Sequence, residues 1–290
     1  MRTRPRRIAV LALPLALTLG ACGAEAEEPA GAANPDVTAS SPAAEPSAAP
    51  ETAEDFLGLA EKAMEAESVW SFSVKGEEGL TLQGQKSAAT YQGTVRRGME
   101  TATLHTQGVS TSSKGRKKTE ELYVEGDAGY LKEGSADWKS VSPADPEMRN
   151  KADDPVAAIH EFRGYAQAVG GDVKVTETGD GTVELRVKSG EQKLSAVLDR
   201  QWAKKAKREF DPTGAQLKEQ GVRFQDEELT LSGLEEVLVL DAKTYRIKSH
   251  RLEFGFLIPY SGGDIFFEQR VDEENQGPLD EKIARPAGVR

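Results

Sequence analysis

The sequence predicts an α+β domain in which a curved antiparallel β-sheet, shaped as a half-barrel, is covered on one face by helices. Many short runs alternate apolar and polar residues and are separated by glycine-rich turns, which is typical of antiparallel strands. Three other stretches have the apolar spacing of amphipathic helices. Because a sheet with one apolar face has to cover that face, these helices are the expected cover.

Residues 1–21 have the form of a secretory leader. Residues 1–7 contain four arginines and no acidic residue, and residues 8–19 are mostly apolar. Twelve residues rise only ~18 Å as a helix, which is too short for the ~30 Å hydrocarbon core. The segment therefore predicts a cleaved signal peptide rather than a membrane span. The pair Arg6-Arg7 does not separate general secretion from twin-arginine export.

The only cysteine of the chain, Cys22, follows this leader directly. Leu19-Gly20-Ala21-Cys22 resembles a bacterial lipobox, which implies cleavage before Cys22 and a diacylglyceryl group on its thiol. A stray unpaired thiol would be a liability in an oxidising compartment, and two acyl chains anchor a protein stably. We therefore expect lipid attachment at Cys22 and a location on the outer face of the cell membrane.

The next segment, residues 22–51, predicts a disordered tether. Gly23–Pro50 holds ten alanines and five prolines among 28 residues, with Val37 as the single larger aliphatic residue. Such a composition cannot bury enough surface to fold, and as a flexible coil it would span ~30 Å. We assign residues 52–275 to one folded domain and residues 276–290 to a C-terminal tail.

Charge and motifs exclude several function classes. Without the leader the chain has 33 basic and 48 acidic residues, a net charge of −15, which argues against nucleic acid as a partner. The three histidines, His105, His160 and His250, are far apart in sequence, so we expect no metal and no other cofactor. His160-Glu161 is followed by Gly164 rather than the second histidine of a zinc-protease motif. We predict a monomeric protein that is not an enzyme, although 48 acidic residues leave room for a glycosidase-type carboxylate pair.

The first half of the domain predicts one helix and then a series of strands. Thr52 and Asp55 form a capping-box pattern, and the apolar stripe that follows should end near Glu67. From Val69 onward the period changes to two, and glycines divide the runs into short strands. The strands are expected within 69–107, at 121–125, 129–132 and 137–141, and residues 109–118 are expected to form a basic loop.

The middle of the domain predicts two more helices around a hairpin. Asp154-Pro155 is a helix start and Gly170-Gly171 a helix end. Residues 172–177 and 182–188 should pair across Gly179-Asp180-Gly181. Lys193–Phe210 then places apolar residues at every fourth position, and the same stretch carries Arg200, Lys204, Lys205, Lys207 and Arg208. This helix either packs its stripe on the sheet and leaves the lysines in water, or lies on the bilayer or over an apolar cavity as a lid.

The last part of the domain carries the strongest strand pattern. We expect strands at 236–240, 245–258 and 265–271, with turns at 241–244 and 261–264. Five of the chain's eighteen aromatic residues lie in the final hairpin.

The order of these elements resembles that of the actinobacterial lipoproteins of the LppX/LprG type, whose fold is similar to the periplasmic carrier LolA. The resembling segments are Leu19–Cys22, Val69–Val74, Tyr130–Lys132 with Trp138, and Leu238–Tyr245. The resemblance implies a sheet and helices that enclose an apolar cavity for acyl chains.

Two functions remain open from the sequence. The first is a carrier of a lipid or glycolipid, with the ligand in a cavity between sheet and helices. The second is a tethered module with a filled core that binds an envelope protein or senses the envelope. The residues expected to line the cavity of the carrier are Phe72, Val74, Leu104, Tyr130, Leu252, Phe254 and Phe256.

Overall fold

A computed structural model describes residues 49–143, 154–168 and 171–289. The predicted leader, Cys22 and nearly all of the predicted tether lie outside these residues. The described chain forms three α-helices, which are α1 Ala53–Glu65, α2 Ala158–Gln167 and α3 Gln201–Glu219. It also forms twelve strands, which are β1 Val69–Leu82, β2 Gln85–Gly98, β3 Thr103–Thr111, β4 Lys117–Glu125, β5 Ala128–Glu133, β6 Lys139–Val141, β7 Lys174–Thr178, β8 Thr182–Ser189, β9 Gln192–Lys193, β10 Thr230–Asp241, β11 Ile247–Tyr260 and β12 Gly263–Pro278.

All twelve strands belong to one open antiparallel sheet, which confirms the predicted fold class. The strand order is β6-β5-β4-β3-β2-β1-β12-β11-β10-β8-β7, and the short β9 pairs with β10. Strands β1 to β6 form one meander and β10 to β12 form another. The two meanders join where the first strand pairs with the last, along a register from Trp70↔Pro278 to Leu82↔Ile265.

The register divides the side chains between two faces of the sheet. On the face that we call inner, Phe72, Val74 and Leu80 of β1 are buried and contribute to the hydrophobic core. All three helices pack on this side: the Trp70 indole donates to the Met64 carbonyl of α1, Tyr165 of α2 donates to Glu236, and Phe210 of α3 contacts Phe267. The opposite face, which we call outer, carries mainly polar and charged side chains.

The first helix forms as its sequence indicates. Thr52 and Asp55 make both hydrogen bonds of the capping box, and the buried face of α1 carries Phe56, Leu57, Ala60 and Met64. The helix ends at Glu65, close to the predicted end. Arg163 of α2 then bonds to Glu54 and Glu61, which fixes α1 beside α2.

The strands are longer than the glycine pattern predicted. Gly76, Gly79 and Gly93 lie inside β1 and β2 rather than at turns. At the cross-strand pair Gly93↔Gly108, glycine is needed because the Tyr91 ring lies close to the backbone. A Cβ on Gly108 would lie 2.2 Å from the Tyr91 Oη, so only glycine fits beneath the ring.

The third helix differs most from its prediction. Leu194–Ala196 forms a 3₁₀ turn, and α3 begins at Gln201 and continues through Pro212 to Glu219. Buried Phe210, Thr213 and Leu217 hold the second half of α3 on the sheet, so tertiary packing overrides the proline. The predicted stripe packs inward through Trp202, Ala206 and Phe210, but Leu198 is 38% exposed. The expectation that the lysines stay in water is wrong for Lys205, which is 7% exposed.

Candidate functional site

The residues expected to line a cavity lie on two different faces of the sheet. Six of them are on the inner face and at most 5% exposed, namely Phe72, Val74, Leu104, Leu252, Phe254 and Phe256. Tyr130 pairs with Tyr123, which pairs with His105, and this row lies on the outer face. Its neighbour Leu131 faces inward opposite Leu122. Tyr130 therefore cannot line a space between the sheet and the helices.

Aromatic side chains pack together on the inner face where α3 covers β11 and β12. The Phe210 ring of α3 lies 5.0 Å, centroid to centroid, from both Phe256 and Phe267. Phe254 is 5.8 Å from Phe267, and Phe224 is 6.2 Å from Phe210. Such distances are those of directly packed aromatic pairs. The five rings fill the space between α3 and the sheet at this level.

A buried cluster of charges lies on the same inner face, and we call it the buried ion cluster. His250 of β11 bonds through Nδ1 to Glu273 at 2.8 Å and through Nε2 to Glu236 at 2.9 Å. Lys205 of α3 bonds to Glu236 at 2.8 Å and also to Glu161 of α2. The cluster thus connects two helices to three adjacent residues of the inner face.

Hydrogen bonds and opposite charges in the buried ion cluster offset the cost of burial. Burial alone would lower the pKa of His250, but Glu236 and Glu273 raise it to about 9. Burial alone would raise the pKa of Glu236, but Lys205 and His250 lower it to about 2. Burial alone would lower the pKa of Lys205, but Glu161 and Glu236 raise it well above its ordinary value. These groups are therefore ionised around neutral pH and held by their partners.

Two further carboxyl groups are buried with weaker support. Glu78 of β1 is fully buried, and its Oε1 accepts from the Thr213 hydroxyl of α3 at 2.6 Å. Its Oε2 has no hydrogen-bond partner in the described structure. Burial raises the pKa of Glu78 to about 7, against the opposing effect of Thr213. Burial likewise raises the pKa of Glu209 to about 7, although Lys205 and Arg208 oppose it.

The outer face carries a groove of about 850 Å³, which we call the outer groove. It crosses β8, β10, β11, β12 and β1, and its floor includes Val237 and Val239. Charged side chains of both signs surround this floor. Arg186 bonds to Glu184, and Arg251 bonds to Asp272 at 2.6 Å. The remaining charged or polar side chains of the groove include Ser73, Lys75, Asp180, Lys248 and Glu274.

Neither a metal centre nor a membrane-spanning helix is evident in the part of the chain that the structure describes. No three histidine, cysteine, aspartate or glutamate side chains of residues 49–143, 154–168 and 171–289 are placed to hold a metal ion. No helix in these ranges is both long and apolar enough to cross a membrane.

Comparison with known proteins assigns the chain to no family. The sequence matches no protein-family model and no curated protein. Among solved structures, a β-barrel-like protein of domain of unknown function DUF1849 from Brucella abortus is 7% identical, with a TM-score of 0.24, over 73% of this chain and 99% of that chain. A DUF1329 family protein from Desulfovibrio piger is 8% identical, with a TM-score of 0.29, over 80% of this chain and 95% of that chain. Scores this low carry no argument about function, and the resemblance to the LppX/LprG type stays a prediction.

Proposed function

We propose that the protein is a lipid-anchored extracytoplasmic interaction module. Its domain would be held near the outer face of the cell membrane by acylated Cys22 and would bind a polypeptide partner in the outer groove. The single observation that carries this proposal is that the protein's own side chains pack the space between β10–β12 and the helices, where a carrier would hold its ligand.

The filled inner face argues against carriage of an acyl chain. An acyl chain would have to displace Phe210 from its contacts with Phe256 and Phe267. Further along the inner face it would meet the buried ion cluster, whose His250 and Lys205 are at most 7% exposed. An acyl chain inserted here would separate the buried ions from their partners, which costs several kcal/mol for each ion left unpaired. The geometry favours the interaction module over the carrier.

The outer groove supports the choice of partner. Its volume of about 850 Å³ lies within the range of known ligand pockets. An apolar floor of Val237 and Val239 suits side-chain insertion, and cations and anions along the walls suit polar and charged side chains of a polypeptide. A pure lipid or a polyanion would leave one of these charge types without a counterpart.

The anchor supports the location. As a flexible coil the predicted tether would span ~30 Å, so an acylated Cys22 would keep the domain close to the membrane surface. The domain could reach partners in the membrane or in the wall beside it.

Two measurements test the proposal. The first is native mass spectrometry of residues 22–290 with Cys22→Ser, expressed in a secreting bacterium. A mass equal to the polypeptide alone is expected, whereas a removable lipid adduct would favour the carrier and contradict the filled interior. A mature native chain that lacks an acyl group on Cys22 would refute the anchor independently of both.

The second measurement is photo-crosslinking in the living cell. A photoreactive amino acid at Lys75 or Val239, both in the outer groove, is expected to give a discrete protein adduct. The matched control is Thr90, which is exposed on the outer face of β2 but outside the groove. Equal adducts at all three positions, or none at Lys75 and Val239, would refute the groove as the partner site.

A further inference from the structure

One of the three tryptophans stands apart from the others. Trp70 is 1% exposed and donates its indole N–H to the Met64 carbonyl at 2.7 Å. Trp202 is 5% exposed and donates to Asp172 at 3.0 Å. Trp138, between β5 and β6, is only partly buried, and its indole N–H has no hydrogen-bond partner among the described residues. A tryptophan with one wet side and a free donor is typical of a binding surface.

Trp138 lines a surface hollow of about 650 Å³ that we call the tryptophan hollow. Tyr130 forms a second aromatic wall, and its ring is held by Tyr123 at 6.4 Å, centroid to centroid. Lys132 places its Nζ 5.9 Å from the centroid of the Trp138 ring. Tyr130 is therefore held on β5 beside Tyr123, and the ammonium group of Lys132 lies over the ring of Trp138.

The C-terminal segment completes the hollow. Arg285 binds the Glu125 carboxylate at the turn between β4 and β5, which fastens the segment to the sheet. Gly288 then passes beside the indole, where a Cβ would lie 3.5 Å from the Trp138 Cδ1. Ala287 and Gly288 line the hollow together with Tyr130. The residues expected to be a simple tail thus take part in a shaped surface.

The polar lining of the tryptophan hollow consists of short side chains that are free to bond a ligand. Ser135, Asp137 and Ser140 line the hollow, and the structure gives their side chains no hydrogen bond to other described residues. A carboxylate accepts from hydroxyl groups, and serine hydroxyls both donate and accept. Asp137 and Lys132 together are neutral, so the lining favours neither an anion nor a cation. Apart from the aromatic rings the apolar lining is limited to alanine, so an acyl chain would bury little surface there.

We propose that the tryptophan hollow binds a neutral saccharide. The C–H face of a sugar ring would pack on Trp138 and Tyr130, and its hydroxyl groups would bond to Asp137, Ser135 and Ser140. Saccharides present this pairing of an apolar ring face with a rim of hydroxyl groups, which matches both parts of the lining. The site lies on β5 and β6, at the end of the sheet away from the strands that form the outer groove. It goes beyond the proposed function, and failure at one site leaves the other unaffected.

The test is a titration of residues 22–290 carrying Cys22→Ser with soluble neutral oligosaccharides. The probes are trimers of N-acetylglucosamine, glucose and mannose at millimolar concentration, detected by tryptophan fluorescence and by saturation-transfer NMR. We expect at least one trimer to bind saturably. Trp138→Ala should weaken that binding by about tenfold or more, because the stacked aromatic contact is lost.

Two variants keep the result interpretable. Asp137→Ala changes an exposed side chain and should also weaken binding while the far-UV circular dichroism of the fold is unchanged. Tyr260→Ala removes the exposed tyrosine beside the turn between β11 and β12, remote from the hollow, and should leave the affinity unchanged. Binding that survives both Trp138→Ala and Asp137→Ala, or the absence of binding to all three trimers, would overturn the proposal.

Discussion

Replacing Glu78 with glutamine should make the protein more stable at neutral and alkaline pH. The carboxyl group is buried, and its pKa is raised from 4.5 to about 7. Between these values the folded state keeps a proton that the unfolded state releases, so stability falls as the pH rises. A pKa difference of this size lowers the free energy of unfolding by about 3 kcal/mol once the pH exceeds 7. Glu78→Gln removes this loss while an amide oxygen can still accept the hydrogen bond from Thr213.

The assay is urea unfolding, followed by circular dichroism, of the wild type and Glu78→Gln at pH 5, 6, 7 and 8. The cross-strand neighbour Gln269 offers a buried carbonyl oxygen without a partner, which the new amide can donate to. The quantity tested is how the difference in free energy of unfolding between the two proteins changes with pH. A difference that is the same at every pH, such as one caused by packing, therefore does not affect the test. Glu77→Gln on the solvent side of the same strand is the control and should change stability by no more than about 1 kcal/mol. A difference between wild type and Glu78→Gln that is the same at pH 5 and pH 8 would refute the reasoning.

Three further predictions concern the core. Lys205→Met removes the buried cation that bonds to both Glu161 and Glu236 and should cost about 3–5 kcal/mol in urea unfolding, whereas Lys204→Met on the exposed side should change stability by less than about 0.5 kcal/mol. His250 has its pKa raised from 6.5 to about 9, so its contribution is complete below pH 6.5 and is lost as the pH rises through 9. His250→Gln should therefore lower stability by about 3 kcal/mol at pH 6, and a cost that persists undiminished at pH 10 would contradict the assignment. Gly108→Ala places a Cβ against the Tyr91 ring and should cost about 1–3 kcal/mol, and a double-mutant cycle with Tyr91→Ala should show most of that cost disappearing.

Much of the fold could be predicted from the sequence because residues close together in the chain determine where helices begin, which strand residues share a face and where turns form. The capping box at Thr52 and Asp55 predicts the start of α1, and alternation predicts that Phe254 and Phe256 share one face of a strand. The turn after β10 is equally local, since Asp241 accepts from the amides of Lys243 and Thr244.

The remaining features of the fold and of the candidate site depend on contacts between residues that are distant in sequence. Thr213 and Glu78 are 135 positions apart, and nothing near either residue indicates that they bond. In the strand 128–133, Tyr130 and Leu131 are both plausible inward residues, and only the pairing with Leu122 decides that Leu131 faces the core. The buried ion cluster cannot be predicted from the sequence for a similar reason. Glutamate, lysine and histidine within a strand or helix normally indicate the solvent side.

The central position of β12 has a consequence for when the protein can fold. The last strand of the chain pairs with the first strand on one side and with β11 on the other. Until residues 263–278 are available, the two meanders of the sheet have no shared edge, and β1 and β11 each expose an unpaired row of backbone groups. Contacts this distant in sequence form slowly. If the predicted export proceeds unfolded from the N-terminus, the sheet would therefore be completed only after residues 263–278 have crossed the membrane and paired with both neighbours.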